Sequence, residues 1–452
     1  MRVNSHRNRL GNIRTVPRRG LGEGKRGIEM RRTAIVVLCL SSALLILGSA
    51  CSSSDEKSAT STPGSPSTTA EGSSVTVGAL LPLTGDLASY GETSQLALDE
   101  AVAALQADGN RVALSVKDTA TDPAKALDGL KSLQAEGVKL VIGPYASSEV
   151  RAVKDFADKN GIILISPLST ATSLAVPDDN VLRFTPDDEQ EGIAVANLAY
   201  ADGIRTIVPM TRDDEGNRGL QSSMKPAFEA LGGTVAPLIT YPAGTEDFTD
   251  TVRDLVAGVS AASAQGGPVG VYLTAFGEVT KLFNAAAGMP ELESLTWYGS
   301  DSVALSKGLL EDPTAAAFAV KAGYPNPILG LRQEETTLWK PVVDRLTQRL
   351  GRTPDAFALA AYDALVVGVD ALKDTSEGAD APGLRKAIVE AAQDHTGLTG
   401  PTQLNAAGDR SIGNYDFWAV CGRAAGDEWV KVATYTAGAN GSAGEAKRET
   451  GC

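Results

Sequence analysis

VALSVKDTATDPAKALDGLKSLQAEGVKLVIGPYASSEVRAVKDFADKNGIILIS, residues 112–166, decides the fold. Three short β-branched or aliphatic runs, at 112–117, 140–143 and 162–166, alternate with longer amphipathic stretches at 123–136 and 147–160 that are rich in Ala, Leu, Asp and Lys. That alternation predicts strand–helix–strand units and a parallel sheet. The pattern extends upstream through a strand at 75–81 and a helix at 92–107. It restarts with strands near 204–210, 235–241, 269–274 and 295–299, separated by helices near 218–231, 247–259 and 279–287. The expected fold class is therefore α/β: two doubly wound parallel-sheet lobes joined by a hinge of several chain crossings, with ligands bound beyond the carboxyl ends of the strands. Helices at 336–350 and 355–372, broken by Gly351 and Pro354, are assigned to the first lobe. The expected lobes are 75–189 with 325–405 and 190–324 with 406–435, followed by a tail at 436–452.

The first 50 residues differ in kind. Arg31 and Arg32 precede an apolar stretch at 34–47, then Gly48, Ser49 and Ala50 lead into Cys51. This is the layout of an export signal, and the stretch is short for a membrane span. Met30, just before the arginines, is an alternative start that would leave 1–29 untranslated. A cysteine directly after small residues resembles the lipobox of bacterial lipoproteins, which implies acylation of Cys51 and anchoring to the outer face of the cytoplasmic membrane. Leu47 stands one place further from Cys51 than the commonest pattern has it. From 52 to 74 the chain is Ser, Thr, Pro and Gly with scattered charges, a composition that cannot bury a core and serves as a tether spanning on the order of 25 Å.

Residues 1–32 hold ten Lys or Arg against two Asp or Glu, so removing them takes the net charge from −14 to −22. A body this acidic argues against nucleic acid, whose phosphates need clustered cations. Of two histidines only His395 lies beyond the leader, which leaves a Ser-His-Asp triad one candidate and nearly excludes a His-based zinc site. No GxxxxGK[ST] or CxxC occurs, and the GxGxxG string at Gly22, Gly24 and Gly27 lies in the arginine-rich leader with no strand before it. No cofactor and no metal is expected. Cys421 and Cys452 remain as a candidate disulfide in an oxidising compartment, with two free thiols as the alternative.

Several segments together resemble the branched-chain amino-acid-binding family of ABC transporter receptors, the type I periplasmic binding fold. They are GALLPLTGDLASYGE (78–92), VIGPYASSEV (141–150), GIILISPLSTAT (161–172), VLRFTPDDEQEG (181–192), DFTDTVRDL (247–255), TWYGSD (296–301), AYDAL (361–365) and GDRSIGNYDFWAV (408–420). Their order and spacing carry the likeness, which covers 75–432.

The resemblance implies a solute-binding protein that closes two lobes around an amino acid or amide and delivers it to a membrane permease. Ser147 matches the family's carboxylate-binding serine, at the start of a helix whose dipole also favours an anion; its plainer role is an N-cap. Leu168 and Thr170 match the next loop, which supplies a backbone N–H and a hydroxyl. Asp301 matches the acid that receives the ligand's ammonium, usually Glu, with an N-cap role as the alternative. Tyr90, Phe276 and Tyr362 are aromatic candidates for the cleft, or for the core. Glu215, in TRDDEGNRGL, stands where the family usually has an aromatic before Gly, and if it faces the cleft the site is more acidic than one for Leu, Ile or Val. A ligand sensor for a surface receptor, an adhesive lipoprotein and an amidase-like hydrolase are the rival functions.

Overall fold

A computed structural model describes residues 74–375, 379–411, 413–424, 426–438, 444–450 and 452. The expected export signal, Cys51 and the tether up to residue 73 lie outside the described residues. The first lobe is built from β1 (Val75–Leu81), α1 (Ala88–Ala107), β2 (Val112–Asp118), α2 (Pro123–Ala135), β3 (Leu140–Ile142), α3 (Ser147–Asn160), β4 (Ile163–Ser166) and β5 (Val181–Arg183). All five strands are parallel, in the order β2-β1-β3-β4-β5. Every residue of β3, β4 and β5 is buried, because helices cover both faces of the sheet. The two-residue period divides them cleanly: Val77, Leu81, Ile142, Ile163 and Ile165 face one apolar cluster, while Leu80, Val141, Leu164 and Val181 face another.

The second lobe follows with α4 (Asp188–Ala201), β6 (Thr206–Asp213), α5 (Glu215–Ala230), β7 (Thr234–Val235), β8 (Ile239–Pro242), α6 (Thr249–Ser263), β9 (Val269–Thr274), α7 (Val279–Ala286), α8 (Pro290–Glu293), β10 (Thr296–Tyr298), α9 (Lys307–Glu311) and α10 (Pro313–Ala322). Its parallel sheet runs β10-β9-β6-β7, with β8 also paired to β6. The single strand expected at 235–241 is two, because Pro237 has no N–H to give the ladder and the chain leaves the sheet there.

β11 (Asn326–Leu329) leads back to the first lobe, where α11 (Thr336–Leu350), α12 (Ala356–Asp374) and α13 (Ala381–Asp394) pack, with a small ladder of β12 (Thr396–Gly397) and β13 (Gly400–Pro401) after them. Residues of α12 and α13, among them Phe357, Leu365 and Ile388, share the cluster that contains Val77 and Ile165. The chain then returns through β14 (Tyr415–Cys421), β15 (Glu428–Thr436) and β16 (Glu445–Arg448), which with β11 make an antiparallel sheet. The stretch expected as a tail thus holds a paired strand, and Cys452 is disulfide-bonded to Cys421 at a Cα–Cα distance of 5.4 Å. Three crossings, near 184–188, 323–336 and 402–414, join the lobes.

Candidate functional site

Each lobe presents its strand ends to the other. In the first lobe the chain leaves β3 through Gly143, whose φ is +100° and whose hypothetical β-carbon would lie 2.3 Å from the Leu80 carbonyl oxygen, so only glycine fits. That turn delivers α3 with Ala146 as its N-cap residue; the Ala146 N–H donates to Glu149 Oε2 at 2.9 Å. Ser147 is the first helical residue and not the cap. Its hydroxyl is buried, 3.0 Å from Ser169 Oγ, and accepts from the Ala171 N–H at 3.3 Å. Leu168 and Thr170 are buried in the loop after β4. Arg183 holds that loop: Nη1 donates to the carbonyls of Ala171 at 2.7 Å and Ser169 at 3.4 Å, while Nε and Nη2 fork onto Asp409 at 2.5 and 2.6 Å.

From the second lobe Asp301 begins a short 3₁₀ turn after β10 and is 2% exposed. It is not the cap either; its carboxyl accepts from the Ser302 hydroxyl at 2.8 Å and its N–H donates to Glu191 Oε1 at 3.2 Å. Tyr90, after β1, reaches across the lobes: its hydroxyl lies 2.8 Å from the Ala304 carbonyl oxygen and 3.2 Å from that of Asp301. Phe276, just past β9, packs into the first lobe's apolar cluster with the Arg212 guanidinium 4.7 Å from its ring centroid. Arg212 itself bridges Asp86 of the first lobe, at 2.5 Å, to Asp214 and Glu278 of the second, at 2.8 and 3.0 Å. The lobes are in contact, as further bonds from Gly277 N–H to Asp86 O at 3.2 Å and from Lys307 N–H to Ser89 Oγ at 3.1 Å show.

Two candidates sit differently from the sequence expectation. Tyr362 lies in the middle of α12, half-buried, against apolar residues of α1 and α11 such as Leu96 and Leu346, and not at a strand end. α12 is buried along most of its length, and the ring is used there for packing. Glu215 opens α5, and its carboxylate is bound by Arg151 Nη2 at 2.9 Å and by the Ser173 hydroxyl, both from the first lobe. These two bonds hold it below the ordinary carboxylate range, Ser173 contributing most. Glu215 is thus a compensated bridge between lobes and adds no free acidity to the cleft. It edges a groove of about 690 Å³ with Thr172, Ser173, Arg218 and Gly219. Because both partners are partly solvated, Glu215→Gln is expected to weaken closure by about 1 kcal/mol or less, an affinity loss no greater than about fivefold, and to flatten the dependence of ligand affinity on salt. Titration calorimetry at low and high ionic strength checks both.

Asp188 and Glu191, in the first turn of α4, are two buried acids beside the candidate site that sequence inspection passed over. Both are buried, beside Thr170 and Asp301 respectively. Burial pushes Asp188 up to about 8, against partial relief from the Thr170 hydroxyl. Burial first, then the charges of Asp301 and Asp188, raises Glu191; burial also raises Asp301. Their signal was a 3-residue spacing that places two acids on one helix face, the face that carries Val195 and Leu198 into the apolar core. Hydroxyls and N–H groups from one lobe and carboxyls from the other thus meet at one set of strand ends, an arrangement able to orient a solute with unlike charges at its two ends.

Two parallel-sheet lobes that offer polar strand-end loops to each other define a hinged solute-binding protein. The sequence model of the periplasmic binding protein family matches residues 74–423, and the chain belongs to that family. It is 29% identical over 369 residues to an uncharacterised protein of Methanocaldococcus jannaschii, a match covering 76% of this chain and 87% of that one. With a Leu/Ile/Val-binding protein of Rhizobium johnstonii it shares 28% identity over 181 residues, 39% of this chain and 49%, about half, of that relative. Among solved structures, the branched-chain amino acid transporter substrate-binding protein of Streptococcus pneumoniae in complex with isoleucine has a TM-score of 0.66 at 21% identity, covering 79% of this chain and 100% of that one. An ABC transporter solute-binding protein from R. palustris in complex with benzoate also has a TM-score of 0.66 at 21% identity, covering 84% and 98%. These structures share the two-lobed α/β fold.

Proposed function

We propose that this chain captures an amino acid or closely related small solute outside the cytoplasmic membrane and delivers it to an ABC transporter permease, held at the membrane by a lipid on Cys51. The observation that carries this is the opposition of Ser147, Ser169 and Thr170 on the first lobe to Asp301 on the second. Hydroxyls and N–H groups near the start of α3 suit a carboxylate, and a buried acid suits an ammonium. Relatives named for binding leucine, isoleucine and valine, and a structural neighbour that holds isoleucine, support the same class. A ligand that touches both lobes binds the closed arrangement better and shifts the population toward it, the form a permease would select. A thermal-shift screen of the chain from Cys51 onward against amino acids, amides and small carboxylic acids tests this, since a ligand at a hundred times its Kd adds about 2.7 kcal/mol of apparent stability. A rise in melting temperature with an amino acid or amide is expected. No response to any of them would remove the proposal.

A further inference from the structure

Away from the cleft, a cavity of about 250 Å³ is lined by Gly330 and Arg332 of the 323–336 crossing and by Gln403, Arg410 and Asn414 of the 402–414 crossing. Two of its lining residues are arginines and none is an acid. Arg410 is 3% exposed and donates to neutral groups. Its Nη1 bonds Thr399 Oγ1 at 2.7 Å and the Phe184 carbonyl oxygen at 3.4 Å, and its Nη2 bonds the carbonyls of Thr399 and Pro401 at 2.6 and 2.8 Å. Its Nε has no hydrogen-bond partner among the described residues. The acid whose charge bears on Arg410 is Asp363, and their link runs through the Thr399 hydroxyl, which donates to Asp363 Oδ2 at 2.6 Å. The Asp363 carboxylate also accepts from the N–H groups of Leu398 and Thr399 at 2.8 and 2.9 Å. Arg332 Nε lies 3.4 Å from Glu335 and 3.7 Å from Glu334, longer than the roughly 2.7–2.9 Å of a charge-assisted bond. Burial pulls the Arg410 pKa down to about 10; Asp363 opposes that shift and the Arg332 charge adds to it.

A buried cation without a directly paired anion is costly, and a second cation lining the same cavity adds to the cost. Guanidinium groups match the oxygens of a tetrahedral oxyanion, to which they can donate in pairs. The volume has room for such an ion and a few waters, since one water takes up about 30 Å³. We propose that this cavity is a site for a free tetrahedral oxyanion, phosphate or sulfate in class, held between Arg332 and Arg410 where the lobes are hinged. Arg410 reaches all three crossings: it lies in one, bonds the Phe184 carbonyl of another and shares the cavity with Arg332 of the third. An anion bridging the two arginines therefore holds the crossings in the arrangement described above, in which the lobes touch, and favours solute capture there. The anion site stands on the cavity and its two arginines; its effect on capture rests on the solute-binding reading.

The test is thermal melting of the chain from Cys51 onward against sodium sulfate, sodium phosphate and glycerol 3-phosphate, with ionic strength held constant by sodium chloride. Sulfate and phosphate are expected to raise the melting temperature by on the order of 2 °C, saturating at low millimolar concentration. The general stabilisation by salts excluded from protein surfaces does not saturate. Arg332→Gln, which keeps the side-chain stem as far as Cδ, is expected to raise the half-saturating concentration at least about tenfold. Arg410→Gln is expected to abolish the response, but it also takes donors from Phe184, Thr399 and Pro401, so the Arg332 variant decides. A rise that does not saturate, or the same half-saturation in the parent and Arg332→Gln, would overturn the site, whether or not any amino acid or amide binds. A tighter response to glycerol 3-phosphate than to phosphate would overturn its assignment to a free ion. Saturating sulfate is further expected to tighten binding of the solute found by the amino-acid screen by about fivefold. Unchanged solute affinity would overturn the coupling through the hinge and leave the solute-binding reading intact.

Discussion

Replacing Arg183 by methionine is expected to cost about 3–5 kcal/mol of stability, the range for removing one partner of a buried ion pair. Its guanidinium and the Asp409 carboxylate are 1% and 2% exposed and are joined by two parallel bonds, so methionine would leave a buried carboxylate with no cation. Two carbonyls, of Ser169 and Ala171, would lose their donor at the same time. The bond also ties β5 to the crossing near residue 409, where Arg183 N–H donates to Gly408 O at 2.9 Å and Arg410 N–H to Arg183 O at 3.0 Å. Loss of the pair therefore loosens a hinge strand and the loop that carries Thr170. A drop in melting temperature on the order of 10 °C is expected, with ligand affinity falling alongside it. The double variant Arg183→Met with Asp409→Leu is expected to recover much of the stability, because it removes the stranded charge, but not the affinity, because the loop 169–171 is still unheld. Equal melting temperatures for the single variant and the parent would show that the pair contributes nothing beyond its own desolvation.

How much of this was legible in the sequence depends on whether the deciding interaction is local. The segment 112–166 showed its strands and helices because their period is written in consecutive residues, and α3 begins and ends at Ser147 and Asn160 as the pattern requires. The break at Pro237 was equally local and was passed over because the flanking residues look like one strand. Ser147, Leu168, Thr170, Tyr90, Phe276 and Asp301 were named through the resemblance to the branched-chain amino-acid-binding family, and their places after strands agree with the rule that doubly wound sheets bind ligands at carboxyl strand ends. Tyr362 had no strand before it, and packing against α1 and α11 decides its place. Glu215 stands at a strand end, yet its partner Arg151 is 64 residues earlier, and no periodicity announces a salt bridge between lobes. Asp188 and Glu191 resemble an ordinary acidic first turn that complements the helix dipole. Only the burial of that helix against α5 and β16 turns a solvated pattern into a closed acidic floor.

Asp301→Asn is expected to weaken binding of the captured solute by about tenfold to a hundredfold while leaving the unliganded protein as stable as the parent or more so. Both halves of that expectation come from the same geometry. A charge-assisted hydrogen bond to an ammonium contributes about 1.5–3 kcal/mol, and the amide cannot supply the charge. Without ligand, however, the Asp301 carboxyl is a buried acid raised by its burial, and a neutral isostere removes the cost of a buried charge while leaving Glu191 a hydrogen-bond partner. The main chain at residue 301 does not depend on the carboxyl, because the Tyr90 hydroxyl bonds to the carbonyl oxygens of Asp301 and Ala304 and the Asp301 N–H is taken by Glu191. Ser147→Ala provides the matching loss at the anionic end. Its hydroxyl accepts from the Ala171 N–H, so removal leaves that N–H free and perturbs the loop as well as the ligand. Melting and titration of both variants with the solute identified by thermal shift separate these effects. Affinity lost with melting temperature unchanged or raised is the signature of Asp301 as a ligand contact, and unchanged affinity in Asp301→Asn would place the bound solute elsewhere in the molecule.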